Sequence, residues 1–133
     1  MIPSTQKDAS AMQLTDNIAK QDYIGFYSGD GPNYQVVPEF LRIDKKDASR
    51  IAGVAVSSVR YDNRIPNDLA ERLEEIANIA NRVVGLFDGD VQKAALWFRT
   101  KNALLGNVSP RDMLRMGRYS RLDRFVSEAE RAK

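Results

Sequence analysis

The residue types of this chain favour binding over catalysis. The 133 residues include neither Cys nor His, which excludes disulfides, thiolate catalysis and Cys-type zinc sites and removes the commonest general base. No phosphate loop, no carboxylate pair within a motif and no nucleophile beside a base occurs. The Asp88-Gly89-Asp90 triplet lacks supporting metal ligands and is better explained as a turn. We therefore expect no enzyme, no cofactor and no metal site.

The charges that could bind a partner are concentrated toward the C-terminus. Residues 93–133 include ten basic and four acidic residues, a balance of +6, whereas residues 1–40 have a balance of −3. Such a surface could bind nucleic acid, an acidic protein surface or an anionic pocket. A solvated helix face would also explain it.

Length and composition indicate a small globular protein. A chain with 43% apolar residues can bury a modest core in one compact domain or two very small ones. No stretch approaches the roughly 18 to 20 apolar residues of a membrane span. The N-terminus also lacks a basic and then apolar signal pattern. We expect a cytoplasmic protein without a membrane partner.

Helical periodicity dominates the second half of the chain. The clearest pattern opens at Ile65-Pro66-Asn67 and continues to about Phe87, which predicts a long helix that acts as the spine of the protein. Asp90 is predicted to cap a helix over Val91 to Arg99, and a last helix is predicted over about Ser120 to Arg131. The apolar residues predicted to face the core are Leu69, Leu73, Ile76, Ala77, Ala80, Val83 and Val84 in the spine, and Leu122, Phe125, Val126 and Ala129 in the last helix.

A loop and a helix start are encoded between these elements. Leu104 and Leu105 are expected to anchor the loop, and Gly106-Asn107 tolerates the positive φ of a chain reversal. Ser109 before Pro110 predicts a helix N-terminus, because Ser caps free amides and Pro fits the first helical position. Gly117 is expected to end that helix in a left-handed conformation.

The N-terminal segment has no sustained helical period. Turn formers fill SGDGPN at residues 28–33. We predict a short strand or hairpin around Asp22 to Val37, and one or two helical turns over Met12 to Lys20. A frayed terminus explains residues 1–37 better than an arm that orders on a partner.

Between Pro38 and Asn63 the sequence has the pattern of two short helices joined by a tight turn. Asp44 is expected to cap the first helix, and Gly53 suits the turn. Ser57 is expected to cap a second helix that carries Val59.

These stretches resemble the Xre/MbcA/ParS antitoxin family. Over about residues 79–130, Ala-Leu-Trp-Phe, Asn102, Leu105-Gly106, Ser109-Pro110 and Leu114 before a Gly resemble its toxin-binding domain. Residues 38–63 resemble the helix-turn-helix of the Xre class, although Ser49 stands where the pattern usually has Ala. The resemblance implies an all-α fold, a small helical bundle with a poorly structured arm (1–37), a helix-turn-helix-like unit (38–78) and a toxin-binding helical domain (79–133).

In that family the antitoxin docks on a RES-domain toxin, which degrades NAD or transfers ADP-ribose from it, and blocks the NAD site. The resemblance implies that the docking surface is built on Trp97, Asn102, Leu105, Ser109 and Pro110. The candidates for the blockade, at a basic end expected to project freely, are Arg118, Arg121, Arg124, Arg131 and Lys133.

The same resemblance implies operator binding, with the protein acting as a homodimer or as a higher hetero-oligomer with the toxin. The second short helix would enter the major groove. Its candidate base or phosphate contacts are Ser57, Ser58, Arg60 and Tyr61, and the candidate phosphate contacts are Arg42, Lys45, Lys46 and Arg64. A retained fold that no longer binds DNA, a stand-alone transcriptional regulator and a structural adaptor remain alternatives.

Overall fold

The structure, a computed structural model, describes residues 17–133. Within that range the chain forms six α-helices and two short 3₁₀ turns, and no strand. The all-α prediction is confirmed. The part of the predicted N-terminal helix before residue 17 lies outside the described range. The helices are α1 (Val36–Leu41), α2 (Lys45–Ala52), α3 (Asn67–Leu86), α4 (Val91–Arg99), α5 (Pro110–Arg115) and α6 (Tyr119–Ala132).

Helix α3 is the spine of the fold, as its periodicity predicted. It packs against α1, α2, α4 and α6. All seven apolar residues predicted to face inward are buried, and Ile79 joins them. Because a full apolar stripe is removed from water, burial of this one helix supplies much of the hydrophobic stabilisation. None of the helices in residues 17–133 combines the length and apolar content that crossing a bilayer requires.

Three predicted helix caps are confirmed. The side chains of Asp44, Asp90 and Ser109 each accept a hydrogen bond from the backbone amide three residues later, at 2.9, 3.1 and 3.0 Å. Asp44 also forms a reciprocal capping box with Asp47. Gly53 has a φ of 71°, so the predicted turn after α2 is present.

The second helix predicted after Gly53 is absent, so the helix-turn-helix prediction is wrong at this point. A 3₁₀ turn over Val56–Ser58 takes its place, and Val59 is buried in extended backbone. The Asp62 carboxylate accepts the amide of Arg64 and two bonds from the Arg60 guanidinium. These local bonds stabilise a turn and compete with helical hydrogen bonding.

The strand or hairpin predicted around Asp22 to Val37 is also wrong. The Asp22 carboxylate accepts the amides of Phe26 and Tyr27 at 2.9 and 2.8 Å, which closes a tight loop. Asn81 of α3 accepts the amide of Ile24 and donates to Asp22. Phe26 is fully buried as a result. Backbone groups that a strand would need for pairing are therefore bound by side chains.

Arg82 of α3 is buried and joins α3 to α6. Its guanidinium bonds Asp123 at 2.5 Å, Ser127 at 2.8 Å and Glu130 at 2.8 Å. Burial alone lowers the pKa of Arg82, but the hydrogen bonds and charges of Glu130 and Asp123 outweigh burial and raise it above its ordinary value. The periodic pattern of α3 did not reveal this inward-facing charge.

Unlike the contacts of Arg82, a second polar contact crosses between the predicted units. Arg115 of α5 binds Asp47 of α2 through two nitrogens, at 2.9 and 3.2 Å, and binds Asp112 at 2.5 Å. The boundary predicted at residue 78 falls inside α3, and residues from both sides share one core. The functional division into units 38–78 and 79–133 stays a prediction.

We predict that Arg82→Met destabilises the fold by about 2 to 4 kcal/mol. This range lies between the small cost of losing a surface ion pair and the cost of losing one partner of a fully buried pair. Urea unfolding measures the loss. Arg121→Met is the control, because it changes an exposed arginine of α6, the helix that Arg82 contacts. It should leave the midpoint of urea unfolding unchanged. An equal, small effect of both substitutions would contradict the structural role of Arg82.

The ion pair of Asp47 predicts a pH dependence. Burial by itself raises the pKa of Asp47, but hydrogen bonds from Arg115 and the Asp44 amide outweigh it and hold the pKa below its ordinary value. Ionised Asp47 therefore stabilises the fold above about pH 4, and this contribution is lost as pH falls through the lowered pKa. The melting temperature of Asp47→Asn should lie below that of the wild type at pH 7 and converge with it in acid. Asp30→Asn, in an exposed turn, should show no such gap at any pH.

Candidate functional site

Trp97 forms one wall of an apolar depression between three helices. Helix α4 holds the indole half-buried, edge-on to the buried Phe98 ring at 5.2 Å. On its other side the indole stacks on Phe125 of α6, with centroids 6.3 Å apart and planes 20° apart. The depression has a volume of about 130 Å³, which suits a single apolar side chain. Its lining consists of Val83, Leu86, Phe87, Trp97, Phe125, Val126 and Ala129.

Asn102 organises the loop that follows α4. Its side-chain oxygen accepts the amide of Leu104 at 2.9 Å, and its carbonyl accepts the amides of Leu105 and Asn107, each at 2.9 Å. Its own amide donates to the carbonyl of Val108 at 3.1 Å. The loop is therefore a small closed unit centred on one residue, and Asn102 is a positioning residue.

The loop separates its two leucines. Leu105 is buried, whereas Leu104 is 76% exposed, so the expectation that both anchor the loop is wrong for Leu104. The chain reverses after Leu105 through positive φ at Gly106 and Asn107, as predicted. Large apolar side chains this exposed are candidates for contact with a partner. Leu96, on the solvent side of α4, is a second such residue at 59% exposure.

The residues predicted for the docking surface therefore fall into two groups. Trp97 contributes surface directly. Leu105, Ser109 and Pro110 are buried, and Asn102 is half-buried with its polar groups bonded within the loop. Leu96 and Leu104 also expose apolar surface, and neither was among the residues predicted for docking. The sequence did carry one signal for Leu96, since it lies outside the stripe formed by Ala94, Ala95 and Phe98.

The arginines proposed for the blockade are exposed on α6 and at its start. Among residues 17–133, Arg118, Arg121, Arg124 and Arg131 have no carboxylate within salt-bridge distance. Arg121 lies one helical turn before Phe125, which places it beside the apolar depression. Arg131 lies one turn after Ser127, on the side where α6 meets Arg82. Arg121 and Arg131 thus have different neighbours, Phe125 for Arg121 and Ser127 for Arg131.

Lys133 does not project freely, so that expectation is wrong for this residue. Its ammonium donates to the carbonyls of Gly85 and Leu86 at 3.3 and 3.4 Å and to the Asp88 carboxylate at 3.3 Å. A cation at the C-terminal end of α3 satisfies carbonyls that have no partner within the helix. Lys133 therefore fastens the end of α6 to the end of α3.

The residues predicted for DNA contact on the second short helix lie on a loop surface instead of a helix. Ser57 and Ser58 are exposed in the 3₁₀ turn, and Tyr61 is half-buried against the core. Arg60 is held by Asp62 through a fork of two bonds at 2.7 and 2.5 Å. This guanidinium and the amide of Arg64 lower the pKa of Asp62 to about 2. Lys45, Lys46 and Arg64 are exposed.

No group of three or more acidic side chains within the described range is placed to hold a metal ion. The aromatic depression, the exposed leucines and the unpaired arginines of α6 are features that suit protein contact. We group Leu96, Trp97, Leu104, Arg121 and Phe125 as a candidate docking surface, hereafter the docking surface.

The role of Asn102 gives a testable prediction. Asn102→Ala removes the cap on the Leu104 amide and should cost about 1 kcal/mol of stability, because one backbone donor loses its partner. Thermal unfolding checks the loss. Asn107→Gly, at a residue with a φ of 64°, is the control and should be neutral or stabilising. A stable Asn102→Ala variant would show that the loop is held by other contacts.

Comparison with known proteins gives one informative similarity. The chain is 28% identical over 110 residues to a protein named Antitoxin Xre from Photorhabdus laumondii subsp. laumondii. The aligned region covers 68% of this chain and 73% of that protein. No family model matches the chain. No solved structure matches it. The similarity supports the Xre-type assignment that the residues around Trp97 suggested.

Proposed function

We propose that this protein is the antitoxin of a type II toxin-antitoxin system. The observation that carries the proposal is its similarity to Antitoxin Xre over 110 residues. The partner is a RES-domain toxin that consumes NAD, by degrading it or by transferring ADP-ribose. The protein inhibits that toxin in the cytoplasm by occupying the entrance to its active site, and needs no chemistry of its own.

The docking surface supports this proposal with apolar contacts. Leu104 at the loop tip and Leu96 on α4 each expose more than half of their surface, and Trp97 stacks on Phe125 of α6. Trp and Arg side chains dominate binding energy at many protein interfaces, and aromatic residues are enriched there. The toxin would cover Leu104 and insert a side chain beside Trp97.

The arginines of α6 support the blockade. Arg118 and Arg121 carry no ion pair within the described residues, and Arg121 belongs to the docking surface. A guanidinium can pair with pocket carboxylates or stack on aromatic walls of a nucleotide site. We place Arg121 first among the blocking residues. Arg124, three residues later in α6, and Arg131 are the alternatives.

Operator binding and autoregulation are the second part of the proposal. The exposed Lys45 and Lys46 at the start of α2 and Arg64 would contact phosphates. A homodimer or a toxin-bridged assembly would place two such surfaces on adjacent half-sites and so raise the apparent affinity. A stand-alone helix-turn-helix regulator is less well supported, because α2 is not followed by a second α-helix before Asn67.

The proposal predicts that the protein suppresses NAD consumption by the toxin only while it is bound. The tagged chain should be co-produced with a RES-type protein, and NAD consumption should be assayed before and after the chain is removed. Activity that appears only on removal supports the antitoxin function. A purified complex with the same NAD consumption before and after removal would contradict it.

We expect Leu104→Asp to weaken toxin binding about 10-fold or more without lowering the melting temperature, because it places a charge in an apolar contact. Val56→Asp, at an exposed apolar residue of the 38–78 unit, is the matched control and should bind normally. Arg121→Ala should relieve inhibition more than it weakens binding. If Leu104→Asp binds as the wild type does, docking occurs elsewhere.

A further inference from the structure

Three arginines from separate elements converge at the C-terminal end of α1. Arg42 directly follows α1, Arg99 ends α4 and Arg111 lies in the first turn of α5. One nitrogen of Arg111, Nη1, donates to the carbonyl of Arg42 at 3.2 Å and to the carbonyl before it at 3.0 Å. The backbone of Arg42 is therefore held against the Arg111 guanidinium.

Aromatic packing brings the third arginine to the same place. The ring of Phe40, two residues before Arg42, packs edge-on against the ring of Phe98 at 5.4 Å. Phe98 immediately precedes Arg99. The pKa of Arg99 is lowered by its burial and by the positive charges of Arg42 and Arg111. We call Arg42, Arg99 and Arg111 the arginine cluster.

The arginine cluster carries positive charge that nothing in residues 17–133 balances. None of its three guanidinium groups has a carboxylate within salt-bridge distance. The adjacent Asp112 is bound to Arg115 at 2.5 Å. The Nε of Arg111 is buried without an acceptor, and such an unsatisfied donor costs stability. An anionic ligand would relieve the mutual repulsion of the three guanidinium groups.

The surroundings favour the phosphates of a nucleic acid over a single carboxylate. Lys45 and Lys46 follow Arg42 by three and four residues and are exposed in the first turn of α2. Lys45 lines a shallow depression together with Arg60 and with Asp62, the ion-pair partner of Arg60. Lys45 and Lys46 thus add two exposed cations close in sequence to Arg42. Several cations match the repeating charge of a strand, whereas one carboxylate would neutralise only one of them.

We propose that the arginine cluster binds backbone phosphates of duplex DNA. Lys45 and Lys46 extend this phosphate site toward Arg60. The DNA then lies across the side of the protein where α1, α4 and α5 meet, and no recognition helix is required. This inference rests on the operator-binding part of the proposed function. It assigns a DNA contact to Arg99 and Arg111, which lie in the 79–133 unit and were not among the residues predicted to contact DNA.

The test is fluorescence anisotropy of a labelled 20-base-pair duplex of random sequence with the full chain. Affinity is measured between about 50 and 200 mM salt. Each lost phosphate contact should reduce the affinity ratio between these two salt concentrations about threefold. We expect that reduction for Arg42→Gln and for Arg99→Gln. Arg111→Lys keeps the positive charge but removes the planar guanidinium with its several donors. It should weaken DNA binding less than Arg99→Gln does.

Lys93→Gln is the control, because it removes an exposed cation from another side of α4. Its salt dependence should equal that of the wild type, and melting temperatures should show that every variant is folded. Wild-type binding with an unchanged salt dependence in Arg42→Gln and Arg99→Gln overturns this inference and leaves operator binding intact. No DNA binding by the wild type, alone or with the toxin, overturns both. Variants that bind DNA normally but lose the toxin would show that the cluster is a protein contact.

Discussion

Arg82 lies in the middle of α3 with its guanidinium sealed from water, and three polar groups of α6 are its partners. A buried cation is costly unless its hydrogen bonds are satisfied, so only one placement of α6 along α3 is acceptable. That placement fixes Phe125 against Trp97 and fixes the side of α6 on which Arg121 lies. Lys133 adds a second tie at the end of the same pair of helices. The geometry of the docking surface depends on this internal ion network.

The candidate site is built by residues that do not themselves reach a partner. Asn102 binds the amides of its own loop, and Ser109 caps α5 from a buried position. Their combined effect is to present Leu104 to solvent while Leu105 stays in the core. Such a motif has two sets of residues. The first set, Asn102 and Ser109, holds the loop in place, and the second set, which includes Leu104, is exposed to a partner. Substitutions in the first set should lower the stability of the fold, and substitutions in the second set should lower the affinity for the toxin.

Much of the fold followed from local signals in the sequence. The periodicity of α3 and the caps at Asp44, Asp90 and Ser109 predicted helices close to their observed bounds, because both signals act within a few residues. Features that depend on distant partners were missed. An arginine in a helix is usually exposed to solvent, and the burial of Arg82 is explained only by Asp123, which lies far away in the sequence. The turn after Val59 depends on competition between side-chain and helical bonding, which periodicity does not report. The docking and DNA contacts remain untested.

Hydrogen exchange of the chain, free and bound to the RES-type toxin, would show which residues the toxin covers. We expect added protection over residues 96–105 and 118–131, where the docking surface and the arginines of α6 lie. Amides of the core helix α3 should change little, because they are already buried and bonded. Protection confined to residues 36–64, with no change around Leu104 and Arg121, would contradict the proposed mode of inhibition.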